Sequence, residues 1–201
     1  PKPELLKGDT SPEEIASLRK AWAKYSGMEE EYAEDLGNGV KLEMVLIPPG
    51  TFWMGSPANE VGREDDEVQH EVTITKPFYL AKYECTQAQY MAATGKANPS
   101  YFKGDEKKLP VENASWQDAT DMTDALTKLA KSGGSKRLYR LPTEAEWEYT
   151  CRGGAASKTS APFHFASGQA TLNSTEANFN GDYPYGGAAK GPYLEKTTPV
   201  G

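Results

Sequence analysis

Two cysteines, Cys85 and Cys151, and two histidines, His70 and His164, set narrow limits on what this 201-residue sequence can do chemically. A zinc site needs three or four His or Cys ligands and would consume nearly all of them, and no CxxC or HExxH spacing is present. Neither thiol has the CxxC neighbour or basic surroundings that lower a cysteine pKa, so neither reads as a nucleophile. A direct Cys85–Cys151 disulfide stays open in an oxidising compartment, because sequence alone does not fix the Cα separation. His70 precedes a strand and is expected to pack or hydrogen-bond, and His164 lies between Phe163 and Phe165. No G-x-S-x-G motif accompanies either histidine, so a hydrolase triad has no support and no catalytic residue is assigned.

The carboxylates fall into two groups. Glu60, Glu64, Asp65, Asp66 and Glu67 lack the Asp-x-Asp-x-Asp-Gly order of an EF-hand and read as a solvated surface loop. Thr143-Glu144-Ala145-Glu146-Trp147-Glu148 reads as a capping box around a buried Trp147, its acids at the positive end of a helix dipole. Asn113-Ala114-Ser115 and Asn173-Ser174-Thr175 are formal glycosylation sequons that discriminate between no functions.

The whole chain carries 22 Lys+Arg against 29 Asp+Glu, a net charge of −7, with no basic block. That argues against a nucleic-acid partner or an anionic membrane surface, both of which need clustered positive charge. No apolar run reaches the roughly 18 residues of a transmembrane helix, and no basic-then-apolar leader opens the chain. Starting at Pro1 rather than Met, the sequence is expected to be a processed form or a fragment. Hydrophobic content is 37%, but 10% aromatic residues are too many for a disordered chain.

These residues need elements to hold them. Ser11-Pro12-Glu13-Glu14 predicts a helix start, with Ile15, Leu18, Trp22 and Tyr25 forming one apolar stripe before Gly27. That stripe is expected to pack back on its own domain or to dock on a partner. The acidic stretch from Glu29 to Asp35 reads as a linker. Leu42, Met44 and Leu46 then alternate with Lys41, Glu43 and Val45, and Pro48-Pro49-Gly50 turns into Thr51–Ser56, so the two runs together predict a β-hairpin. Strand character resumes at 70–75 and 78–80. Helices are predicted after Thr86, after Ser115 with Trp116, Ala119, Met122, Leu126 and Leu129 on one face, and after Thr143. Beyond residue 155 the chain reads mostly as loop, which makes the class α+β with irregular connections.

Several of these segments together resemble a known family. Gly50-Thr51-Phe52-Trp53-Met54-Gly55-Ser56, Pro77–Glu84, Leu109-Pro110-Val111-Glu112, Ser115-Trp116-Gln117-Asp118-Ala119, Arg140–Tyr149 and Ala177-Asn178-Phe179-Asn180-Gly181 occur in that order. The sequence is similar to the formylglycine-generating enzymes, or sulfatase-modifying factors. The resemblance implies an irregular, C-type-lectin-like fold over residues 38–201, preceded by a helical extension and acidic linker at 1–36. It also implies that a domain of this family continues past a Pro-Val-Gly such as Pro199-Val200-Gly201, so the 38–201 domain is expected to be incomplete at its C-terminal end. The cysteine pair that holds copper(I) in the oxidases lies in that later portion, and copper is expected only if it is supplied. Cys85, in Tyr83-Glu84-Cys85-Thr86, stands where the family usually has a β-branched residue, so the resemblance implies a buried thiol packing like a small hydrophobe. Cys151 sits where eukaryotic members form a disulfide to that portion, and the family's further helix cysteine aligns with Met122.

Asn178-Phe179-Asn180-Gly181-Asp182 resembles the family's first calcium site. The resemblance nominates the Asn178 side chain with backbone carbonyls of Phe179 and Tyr193 as metal ligands, for a structural calcium that seeks six to eight oxygens. An expected aspartate falls near Ala189-Lys190, where a cation would weaken binding. An Asn-Gly turn without metal is the competing expectation. Three functions follow: a non-catalytic scaffold held to a protein partner or complementary chain, a copper oxidase converting a sulfatase cysteine to Cα-formylglycine, and a lectin-like binding module. Fold alone does not choose among them. The cysteines and the missing initiator Met point toward an extracytoplasmic setting, periplasmic or secreted.

Overall fold

The computed structural model describes residues 1–8, 10–58, 60, 62–154 and 171–201; His164 lies outside the described residues. All four predicted helix starts are present, because each rests on a local hydrogen-bond exchange. In α1 (Pro12–Ser26), α2 (Gln87–Thr94), α3 (Trp116–Ser132) and α4 (Glu144–Cys151), the N-cap hydroxyl of Ser11, Thr86, Ser115 or Thr143 accepts from the third backbone N–H. The side chain three residues on accepts from the N-cap N–H in return. At α3 the Ser115 hydroxyl and N–H, then Lys96, pull the Asp118 carboxyl down to about 2. Gly27 and Gly95 end α1 and α2 at φ +65° and +69°, the left-handed turn a Cβ disfavours.

The strands are β1 (Glu31–Asp35), β2 (Lys41–Ile47), β3 (Gly50–Met54), β4 (His70–Ile74) and β5 (Phe78–Ala81). They form two sheets, one ordered β1-β2-β5 and one pairing β3 with β4. The expected hairpin across Pro48-Pro49-Gly50 is therefore absent: β2 pairs with β1, Tyr32 opposite Met44, and β3 pairs with β4, Phe52 opposite Val72. Two prolines explain this, since their fixed negative φ excludes the left-handed pair of residues that a two-residue hairpin turn requires. The acidic stretch read as a linker is strand β1 from Glu31 onward.

The chain divides into two compact units, each with its own packing. The first comprises Pro1–Glu30, Leu46–Tyr79 and Pro142–Glu195. Its centre is the Phe52–Tyr149 pair, rings 5.2 Å apart, 1% and 0% exposed, with Ile47, Met54, Val72, Ile74 and Phe78 around them. Leu6 lies along β3, donating its N–H to the Pro49 carbonyl at 3.0 Å and accepting from Thr51 N–H at 2.8 Å. From the stripe of α1, Trp22 is buried and its indole N–H donates to the Glu4 carbonyl at 2.8 Å, whereas Tyr25 is exposed. The helix thus packs back on its own N-terminal segment.

The second unit comprises Glu31–Val45, Leu80–Leu141 and Lys196–Gly201. Helices α2 and α3 pack together, burying Tyr90, Met122, Leu126 and Ala130. Trp116, expected on that face, is 72% exposed, and Leu129 is at its margin. Strand β1 is held by its inward Tyr32 and Glu34. The Tyr139 hydroxyl donates to Glu34 Oε2 at 2.6 Å, and the Arg137 guanidinium lies 3.9 Å over the Tyr32 ring. Burial, followed by the Glu34 carboxylate, pushes the Tyr139 hydroxyl well above its ordinary pKa, so it stays a proton donor. No described helix is long and apolar enough to cross a membrane.

Candidate functional site

The Arg140–Tyr149 motif builds α4, and α4 anchors the first unit. Thr143 and Glu146 close the cap. The Tyr149 hydroxyl donates to the buried Pro48 carbonyl at 3.0 Å. Glu148 Oε1 accepts from Gly55 N–H at 2.8 Å and from Arg152 Nε at 2.7 Å. Arg152 also donates to the Gly55 carbonyl at 3.2 Å and faces Glu60 at 3.5 Å. Glu148 and the neighbouring Arg152 thus fix the start of the β3–β4 connection, and Tyr149 fixes the turn between β2 and β3. Trp147, expected to be buried, is 60% exposed; Tyr149 is the buried aromatic of α4. Two residues apart on a helix, the two rings point to different faces.

The acidic loop is only partly solvated. Glu60 is 8% exposed at its side chain and Arg152 7%, while Glu67 Oε2 accepts from the Ser56 hydroxyl at 2.5 Å. Burial raises the Glu60 carboxyl above its ordinary pKa, Arg152 pulls it down, and Glu67 raises it. The i,i+4 spacing of Glu148 and Arg152 was the only sequence trace of this cluster. His70 bonds through Nδ1 to the Val68 carbonyl at 2.9 Å, which requires the proton on Nδ1.

Both cysteines are free thiols. Cys85 points its Sγ at Met122 Sδ, 3.6 Å away, and at the Thr86 carbonyl, 3.5 Å away, and burial pushes its pKa up to about 12. It is the packing thiol expected from the sequence. Cys151, the last residue of α4, is exposed at the surface, and partial burial of its sulfur moves its pKa up while Arg152 opposes the change. Thiolate chemistry at neutral pH is disfavoured at both.

The expected metal residues lie in a closed loop. A bridge between Leu172 and Tyr185 and a hydrogen bond from Gly191 N–H to the Gly181 carbonyl, 3.0 Å, bring the segment after Asn178-Phe179 beside the segment before Tyr193. Asn178 and Tyr193 face solvent and Phe179 is half-buried. The Ser174 hydroxyl, buried against Gly181 and Gly191, has no hydrogen-bond partner. The neighbouring Asp182 carboxylate pairs with Lys190 at 3.4 Å. Oxygen chemistry here suits a hard cation, and the lysine charge opposes one. Among the described residues no three His, Cys, Asp or Glu side chains converge as a metal cluster.

Comparison with known proteins places this geometry in context. A profile described as the sulfatase-modifying factor enzyme 1-like domain matches residues 32–201. A chaperone protein, LppX of Paenibacillus barcinonensis, is 36% identical over 59% of this chain and 48% of its own length. The formylglycine-generating enzyme of Mus musculus is 28% identical over 58% of the chain and 41% of the enzyme. The inactive C-alpha-formylglycine-generating enzyme 2 of Bos taurus is also 28% identical, over 60% and 52%. The chain thus spans about half the length of the curated relatives it matches. The solved structure of PvdO from Pseudomonas aeruginosa aligns with TM-score 0.52 and 30% identity over 64% of this chain and 54% of that one. The variable protein 1 of Treponema denticola, at 23% identity and TM-score 0.52 over 65% and 59%, shares the fold.

Proposed function

Because the chain belongs to the sulfatase-modifying factor enzyme 1-like family, we propose that these residues serve as a non-catalytic binding scaffold, joined to a protein partner or to a complementary chain. The observation that carries this reading is how the family's most specific motif is used. Glu146, Glu148, Tyr149 and Arg152 are committed to internal bonds, while Trp147 is turned outward. In the second unit Trp116 and Tyr101 are turned outward too. Large exposed aromatic side chains favour protein contact. The relative named a chaperone, whose name describes action on another protein, supports the same reading.

A second reading is the oxidase, favoured by the relatives named formylglycine-generating enzymes. The resemblance places the copper cysteine pair of that reading beyond Gly201, and Cys85 and Cys151 are not candidates for it. The test is to incubate the 201-residue chain with copper(I), oxygen and a cysteine-containing peptide and to look for the peptide aldehyde by mass spectrometry. No aldehyde above a copper-only control is expected, and aldehyde formation overturns the scaffold reading. Light scattering is expected to find the chain associated, and a monodisperse monomer refutes the partner. A structural calcium at Asn178 and the carbonyls of Phe179 and Tyr193, and an extracytoplasmic location, belong to the same proposal.

A further inference from the structure

Two Asn-Gly dipeptides occur in the chain, Asn38-Gly39 and Asn180-Gly181. In such a pair the glycine nitrogen has no Cβ beside it to hinder its approach to the asparagine side chain. The fold treats the two differently. Asn38-Gly39 forms the tip of the turn that joins β1 to β2. Gly37, Asn38 and Gly39 have φ of +87°, +53° and +72°, and Val40 N–H donates to the Gly37 carbonyl at 2.9 Å. Positive φ at both central residues marks a type I′ turn, which asparagine followed by glycine suits. Asn38 and Gly39 are exposed, and a Cβ on Gly39 would meet nothing within 4 Å. Among the described residues neither the Asn38 side chain nor the Gly39 N–H has a hydrogen-bond partner. Asn180-Gly181 is clamped instead. Asn180 Oδ1 accepts from Asp182 N–H at 3.0 Å, and the Asn180 carbonyl from Tyr183 N–H at 3.0 Å. Gly181 is buried, its carbonyl takes Gly191 N–H at 3.0 Å, and the Gly191 carbonyl and Ser174 Oγ fill the space a Cβ would need.

We propose that Asn38 is a site of spontaneous modification by water, converting to aspartate and isoaspartate while the fold preserves Asn180. The Gly39 nitrogen, having given its proton to solvent, attacks Asn38 Cγ. A Cγ–N bond forms, the Cγ–Nδ2 bond breaks, and the departing amide takes a proton from water and leaves as ammonia. The product is a cyclic imide, which a second water opens. Addition at Cγ restores the ordinary backbone with an aspartate at position 38. Addition at the main-chain carbonyl carbon breaks the original peptide bond and leaves an isoaspartate, whose backbone runs through Cγ. That extra backbone carbon does not fit the turn, which loses the 2.9 Å bond from Leu36 N–H to the Val40 carbonyl. Strand β1 has β2 as its one neighbour among the described strands, so its end at Asp35, opposite Lys41, loosens.

Peptide mapping by mass spectrometry follows both dipeptides in one sample of the intact chain, kept folded in mildly alkaline buffer. The Asn38 peptide is expected to convert several-fold faster than the Asn180 peptide and to separate into aspartate and isoaspartate forms. In denaturant the two are expected to convert at similar rates, because only the fold distinguishes them. Asn38 staying intact, or both sites converting alike in the folded chain, overturns the assignment. A rate difference that persists undiminished in denaturant overturns it too. Hydrogen exchange of residues 31–41 tests the consequence. The isoaspartate fraction is expected to exchange faster than fresh protein. Asn38→Asp, which adds the charge without the extra backbone carbon, is expected to keep wild-type protection. An isoaspartate fraction as protected as fresh protein refutes the loosening of β1.

Discussion

Gly50→Ala tests whether the N-terminal segment, β3 and α4 share one close contact. A methyl group built on Gly50 would overlap the Tyr149 hydroxyl oxygen and lie 2.6 Å from Leu6 Cβ and 2.8 Å from the Leu6 carbonyl oxygen. Two responses are open to the chain. Expelling Leu6 forfeits its two backbone hydrogen bonds, about 1 kcal/mol each, and exposes a leucine now 1% accessible, about 2 kcal/mol more. Keeping Leu6 and straining the contact costs about 1–3 kcal/mol. The cheaper response prevails, so the loss is expected at about 1–3 kcal/mol. With a urea slope near 2 kcal/mol/M, the unfolding midpoint falls by about 1 M. Tryptophan fluorescence is a suitable readout, since Trp22 is tied to Glu4 and reports the docking of the N-terminal segment. Tyr149→Phe alone is expected to cost about 1–2 kcal/mol, because the buried Pro48 carbonyl loses its donor. In the double variant the phenol oxygen is gone, so alanine at 50 should cost visibly less than in the wild type. A Gly50→Ala protein within about 0.5 kcal/mol of the wild type, or strictly additive variants, would refute the reasoning.

Two further outcomes concern the 171–195 loop. Gly181→Ala places a methyl group against the Gly191 carbonyl and the Ser174 hydroxyl. It is expected to destabilise the first unit by about 1–3 kcal/mol, read as a lower thermal midpoint, and an unchanged midpoint would contradict the close packing. Lys190→Asp replaces the cation that pairs with Asp182 by a carboxylate. Millimolar calcium should then raise the melting temperature of the variant more than that of the wild type. Equal responses would remove Asn178 and Tyr193 from consideration as calcium ligands.

The helices were legible because their signals are short in range. A hydroxyl at the N-cap and a Glu, Gln or Asp three residues later satisfy each other wherever the chain goes. Ser11, Thr86, Ser115 and Thr143 therefore marked helix starts without knowledge of the fold. The alternation of Leu42, Met44 and Leu46 equally marked the buried face of a strand, since adjacent side chains in a strand point opposite ways. The order of the motifs identified the family, and the β-branched residue usual there at the place of Cys85 made it readable as a packing thiol.

Strand partners and helix faces were decided elsewhere. Glu31–Asp35 looks like a solvated run until Tyr139 and Arg137, more than a hundred residues away, supply partners for Glu34 and a cation over Tyr32. Trp147 and Tyr149 are both large aromatics in one motif; which of them is buried depends on where β3 and Pro48 lie. Glu60 reads as one acid among five, and only the position of Arg152 on α4 makes it a buried, contested charge. Such outcomes depend on desolvation and on groups distant in the chain, so no window of sequence contains them, and the three-dimensional arrangement alone assigns them.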